Sequence, residues 1–217
     1  MRVMRAPRSG GEEVDWALLE TQLGFAFPSD YRSFMDLYGG GTIDDTLYLP
    51  GLGGDGSGWR QEQLNVVEQL CYEDPATGHE TPLPYPGRFE VGTLVFWGIS
   101  PSSDICCWYA SGPDSNSWPV VIYRNRKSPE WFRHDGGFAD LINSVLVGRI
   151  ENPLGVSFPN SLRGVDYLSD RDYRVLRQHG VYPRGYIHNA SEVIAQISAA
   201  GLRPSDFLPA AARLLEE

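Results

Sequence analysis

The stretch Phe27–Gly41, Phe-Pro-Ser-Asp-Tyr-Arg-Ser-Phe-Met-Asp-Leu-Tyr-Gly-Gly-Gly, constrains the fold more than any other part of the chain. Tyr31, Phe34, Met35 and Tyr38 recur at helical spacing, so one helix face is strongly apolar and asks to be buried. Pro28 suits the first turn, where its missing N–H is not needed. Ser29 and Asp30 can satisfy the free N–H groups there or complement the helix dipole. Three consecutive glycines, Gly39 to Gly41, then end the helix abruptly.

The flanking sequence supplies both helices and strands. Residues 12–23 place Val14, Leu18, Leu19 and Leu23 at helical spacing and stop at Gly24. Residues 42–49 alternate as a strand, with Ile43, Leu47 and Leu49 set against Asp44 and Asp45. A glycine-rich loop over 50–58 leads to a helix over 59–72, with Leu64, Val67 and Cys71 as its inner face. Residues 73–92 are rich in proline and read as a long loop. Strands follow over 94–99, 104–110 and 118–124, joined by turn-rich connections, so an antiparallel meander is expected. Pro119 sits near a strand start, where a missing donor is tolerated. A helix over 136–147 uses Phe138, Leu141, Ile142 and Val145. Asn152-Pro153 marks a boundary, and beyond it the pattern changes to short helices near 169–179, 191–200 and 205–215. Residues 1–11 are basic (Arg2, Arg5, Arg8), lack an apolar run and read as a disordered start.

Charge narrows the function classes. The 217 residues carry 18 Lys and Arg against 28 Asp and Glu, a formal net charge of −10. From Asp36 to Glu80 nine acids accompany one base, Arg60, whereas from Glu151 onward seven bases and eight acids nearly balance. An acidic surface repels phosphate backbones and argues against nucleic acid as a direct ligand. It attracts a basic protein and speeds the encounter with it. The bland reading, that the acids serve solubility alone, stands beside this one. No apolar run approaches transmembrane length. The three cysteines, Cys71, Cys106 and Cys107, make no Cys-x-x-Cys and no paired framework, which points to reduced thiols and a cytoplasmic home.

Catalytic and metal motifs are not in view. His79, His134, His179 and His188 lack metal-ligand spacing. Asp44-Asp45 lacks an Asp-x-Asp-x-Asp-Gly context for calcium. The run Gly51–Gly58 has no Lys to complete a phosphate loop, and Ser57 lies outside any Gly-x-Ser-x-Gly elbow. No cofactor, no metal and no enzyme activity are therefore expected. The aromatics Tyr31, Trp97, Trp108 and Trp118 read as core. Alternation puts Cys106 and Trp108 on one strand face, and Cys107 and Tyr109 on the other.

An ordered set of these pieces resembles the SUKH superfamily, which includes the fungal Smi/Knr cell-wall regulator family and many bacterial immunity proteins of polymorphic toxin systems. The helix opening Phe27-Pro-x-Asp30-Tyr31 and closing on Gly39-Gly40 resembles its N-terminal signature. The strand at 42–49, Phe96-Trp97-Gly98, Asp104-Ile-Cys-Cys-Trp108, Trp118-Pro119-Val-Val121 and Phe138-Ala-Asp-Leu-Ile142 follow in the family's order. The resemblance covers residues 12 to about 148. It implies an α+β fold, a mostly antiparallel sheet flanked by helices, over residues 12–150. Residues 151–217 form a small C-terminal helical extension outside it. It implies no shared catalytic residues, and it implies neutralisation of a toxin, such as a nuclease, by direct binding. The acids expected to meet such a basic toxin domain are Asp44, Asp45, Asp55, Glu73, Asp74 and Asp104. The alternative expectation is a housekeeping regulatory interaction module of the Smi/Knr type.

Overall fold

A computed structural model describes residues 4–53, 59–60, 62–63, 93–125, 131–154, 164–183 and 185–215. Helices α1 (Trp16–Leu23) and α2 (Ser29–Tyr38) come first. Strands β1 (Gly41–Ile43) and β2 (Leu47–Leu49) follow, then β3 (Leu94–Ile99), β4 (Ile105–Tyr109), β5 (Val120–Tyr123) and β6 (Trp131–His134). Helix α3 (Phe138–Leu146) precedes β7 (Tyr167–Ser169). The tail carries α4 (Asp170–Gln178), α5 (Tyr186–Ala199), α6 (Pro204–Phe207) and α7 (Pro209–Leu215). The seven strands form one sheet in the order β6-β5-β4-β3-β2-β1-β7, every pairing antiparallel. The fold is α+β, as the pattern predicts.

Residues 42–49 are not one strand but a hairpin. Thr46 N–H donates to the Ile43 carbonyl at 2.9 Å, and the two central residues have positive φ, 47° at Asp44 and 52° at Asp45. Two central residues with positive φ suit a tight hairpin, and Asp tolerates that region better than most non-glycine residues. The strand β6 and the edge strand β7 are also additions to the expected set. Each is short, and pairing rather than pattern creates it: Tyr123 lies opposite Trp131, and Ile43 opposite Tyr167. Of the expected helix over 59–72, residues 59–60 and 62–63 are helical and the remainder lies outside the described residues, as does the loop over 73–92.

The first sheet face carries Ile43, Leu47, Val95, Trp97, Cys106 and Trp108, all buried, beneath α1, α2 and α3. Its centre is aromatic. Tyr31 meets Trp108 edge-on at 4.8 Å and Phe138 at 5.2 Å, and Trp97 meets Phe138 at 5.0 Å. A register shift between Phe96 and Gly98 adds Trp97 to this face, leaving Gly98 opposite Cys106. Trp118, 5% exposed, extends the cluster, and its indole N–H donates to the Gly112 carbonyl at 2.6 Å. Pro119 directly precedes β5, where its missing N–H is tolerated, and its carbonyl accepts the Tyr109 N–H at 3.0 Å. Asp30 joins two helices: its Oδ2 accepts the Ala139 N–H at 2.8 Å, capping α3 from across the core.

The second face carries Leu94, Phe96, Ile105, Cys107, Val121 and Trp131, also buried. The alternation expected along β4 therefore holds, and both faces are core. Because β2 is short, part of the β3 backbone has no strand partner there among the described residues. The Gln63 side-chain amide serves instead, accepting the Phe96 N–H at 2.7 Å and donating to the Leu94 carbonyl at 2.9 Å.

The tail packs its own apolar cluster, including Leu176, Val193, Ile197, Phe207 and Leu208, onto Leu168 of β7. It is pinned to the hairpin at Asp166. The Asp44 N–H donates to the Asp166 carbonyl at 2.9 Å, and the Asp166 N–H donates to Asp44 Oδ1 at 2.8 Å. The Asp166 carboxylate also accepts the Ala210 and Ala211 N–H groups at the start of α7, at 2.6 and 2.9 Å. Residues 4–11, expected to be disordered, are a strap between body and tail. Tyr38 hydroxyl donates to the Met4 carbonyl at 2.8 Å, Arg171 donates to the Gly11 carbonyl at 3.0 Å, and the Arg8 guanidinium lies over the Phe207 ring. Strap contacts of this kind are set by tertiary partners and leave no periodicity to read.

Phe138→Ala removes the ring that Tyr31, Phe34 and Trp97 pack against. It should cost about 3–5 kcal/mol of unfolding free energy, the range for a buried aromatic truncated to alanine. Urea denaturation of the full chain measures it; a loss under about 1 kcal/mol, the size of a surface effect, would mean that this ring is not the centre of the core.

Candidate functional site

The acids singled out in the sequence divide by burial. Asp104 is fully buried: its carboxylate accepts the Ser100 hydroxyl at 2.6 Å and the Asn125 N–H at 3.2 Å, fixing the β3–β4 turn. Asp44 is 5% exposed and turned to the tail through Asp166. Neither presents a carboxylate to a docking surface, which corrects that expectation: the acids answer backbone and hydroxyl donors that would otherwise be buried unpaired. Asp45 is half-buried and accepts the Gly185 N–H while lining a surface hollow. Asp55, Glu73 and Asp74 lie outside the described residues.

The signature residues converge on structure. Pro28 precedes the first turn of α2 as its N-cap, and Tyr31 is fully buried in the aromatic centre, where burial pushes its phenol far up. Gly39 and Gly40 end α2 where several backbones crowd together. A Cβ on Gly40 would stand 2.4 Å from Gly51 backbone atoms, so the two segments touch only because Gly40 lacks a side chain. The Asp170 N–H donates to the Gly40 carbonyl at 2.8 Å, and the Tyr167 hydroxyl donates to the Gly39 carbonyl. Glu12 closes the junction from the other side, its carboxylate accepting the Gly40 and Leu52 N–H groups, both at 2.9 Å.

This junction opens to the surface as a polar cleft of about 500 Å³, with Glu12, Glu13, Tyr48, Glu62, Asp170 and Arg174 in its wall. A second hollow of about 400 Å³ adjoins it and shares Tyr48 and Asp170. It lies over one cross-strand row of the second sheet face. Leu168, Thr42, Tyr48, Ile99, Ile105, Tyr123 and Trp131 are successive register partners across all seven strands, so their side chains share one face. Leu168 and Ile105 are buried at 2% and 3% exposure, whereas Tyr48 between them is 41% exposed. The row thus surfaces around Tyr48, with Tyr173, Pro183 and Pro101 as walls.

Among the described residues the two hollows together hold five carboxylates (Glu12, Glu13, Asp45, Glu62, Asp170) against two guanidinium groups (Arg171, Arg174), a local balance of −3. Asp170 feels this most. Burial, then the charge of Glu12, raises its pKa from 3.8 to about 6, against the opposing pull of Arg174 and a hydrogen bond with Tyr48. Tyr48 is pushed up to about 12 by burial of its phenol and by the charges of Asp170, Glu62 and Glu12. The thiols of Cys106 and Cys107 are buried and pushed up by desolvation, which keeps them protonated. Among the described residues no three His, Cys, Asp or Glu side chains are grouped to hold a metal, and no helix is long and apolar enough to cross a membrane.

Glu12, Tyr48 and Asp170 were not legible as site residues. Asp170 looks like an ordinary first-turn helix acid. Tyr48 left a signal, an aromatic on the opposite face from Leu47 and Leu49, but the alternation alone does not say that this face is open.

A family model described as SMI1-KNR4 cell-wall, SUKH_6, matches residues 13–142. No curated protein and no solved structure matches the chain.

The raised Asp170 pKa sets a pH dependence. Between about pH 4 and 6 the folded chain keeps a proton that the unfolded chain, with its carboxyl near 3.8, has released. The stabilising contribution is full below about pH 4 and lost as pH rises through about 6. Asp170→Asn stays neutral and should lack this loss, so wild-type urea midpoints should fall relative to the variant across that window. Parallel profiles would show that Asp170 does not titrate there.

Proposed function

The chain belongs to the SUKH family of SMI1-KNR4 cell-wall type, and from that membership we propose that it is a non-catalytic protein-binding domain that neutralises a cognate toxin by direct contact. The observation that carries this reading is the acid-rich surface around exposed Tyr48, on a chain of net charge −10. A basic partner is drawn to such a surface, and the charges speed encounter and select against wrong partners more than they add affinity. A nuclease fits this chemistry, because it presents basic residues to phosphate. The place of action in this reading is the cytoplasm, where free thiols such as buried Cys106 and Cys107 stay reduced.

The same family description supports a second reading, a regulatory module that binds a cell-wall or signalling protein. One experiment separates the two. The full chain is immobilised, lysate of the source organism is passed over it in low salt, and a salt step elutes the bound protein for mass spectrometry. The captured protein is then expressed with and without this chain. Capture of a basic toxin domain whose growth inhibition disappears on co-expression is the expected result. Capture of a regulatory or cell-wall protein with no toxicity to relieve would replace the immunity reading with the second.

A further inference from the structure

We propose that the open part of the cross-strand row, the hollow over Thr42, Tyr48 and Ile99, docks a short basic segment of another protein, with an apolar or aromatic side chain of that segment seated on Tyr48 and flanking Arg or Lys residues at Asp45 and Asp170. The proposal deepens the protein-binding reading and rests on it.

Continuity with the core is the first argument. The same row is closed at Leu168 by the tail cluster and at Ile105 by the second-face core, yet Tyr48 between them is 41% exposed. An aromatic set in a hollow of about 400 Å³ with apolar walls is the arrangement in which interface anchors gain most from desolvation.

Charge decides the occupant. The balance of −3 among the described residues of the hollow and its adjoining cleft favours a cationic guest. It disfavours a second copy of this chain, which would bring the same acids against themselves. It also disfavours residues 64–92 of the chain itself, which carry five acids (Glu68, Glu73, Asp74, Glu80, Glu90) and one base, Arg88.

The test selects a random linear peptide library, displayed on phage, against the full chain in low salt. Enriched peptides are measured by fluorescence anisotropy on wild type, Tyr48→Lys and Thr42→Lys, with circular dichroism to verify folding of each. Enriched peptides should pair Arg or Lys with an aromatic or aliphatic residue. They should bind both variants at least about tenfold more weakly, as for loss of an interface anchor, and lose affinity with salt. Hydrogen exchange on wild type, which needs no variant, should show protection of β1 and β2 when the peptide is bound. No enrichment, enrichment of peptides without basic residues, unchanged binding to the variants, protection elsewhere, or a wild-type dimer that Tyr48→Lys dissociates would each overturn the proposal. Failure of the immunity reading looks different: the peptides still dock at Tyr48, but the protein captured from lysate is not a toxin.

Discussion

Where α2 ends, four stretches of backbone meet within van der Waals contact, and the rest of the molecule is arranged about that crowding. Gly40 lies against Gly51, and Gly41 lies against Leu168 and Ser169 of β7. A side chain at Gly40 or Gly41 would collide with main chain, which does not move aside as a flexible side chain does. The contact lets α2 run directly into β1 without a loop. It also brings the end of β2 and the start of α4 beside the strap carrying Glu12. Just past the helix end, the Gly40 N–H is answered by Glu12, and the Gly40 carbonyl by the Asp170 N–H. The polar cleft is the outside of this same junction.

The sheet then does two things at once. Over β3, β4 and β5 it is buried on both faces, so those strands read as nearly continuous apolar runs. Over β1 and β2 it is buried on one face only, and the tail reaches round through β7 to flank the other. The tail is held by polar contacts as much as by apolar ones. Asp44 and Asp166 exchange backbone and side-chain hydrogen bonds, and Asp166 caps α7. These links are short and buried, and each leaves an unpaired group behind if broken.

Net charge and charged surface are different quantities here. Of the acids in the hairpin and the β3–β4 turn, Asp44 and Asp104 are inside and serve backbone donors. The acids that reach a surface hollow come from separate places, the strap (Glu12, Glu13), residue 62 and the start of α4. The elevated pKa of Asp170 follows first from its burial and then from the neighbouring charge of Glu12.

The sequence by itself determined the α+β class, the helix ended by glycines, the strands expected at 94–99 and 104–110 with the two faces of the latter, and the helix around Phe138. Each of these follows from periodicity or from backbone chemistry within a few residues. Tertiary structure alone decided the rest. Only pairing with β1 makes 167–169 a strand, only the pairing of β1 with β2 makes 42–49 a hairpin, and only docking gives residues 4–11 a path. The site belongs to this second group, because Glu12, Tyr48 and Asp170 are far apart along the chain and meet only where the glycine junction lets their backbones touch. Burial of Asp44 and Asp104 was equally beyond reach, since a carboxylate is identical in sequence whether it faces solvent or a buried N–H.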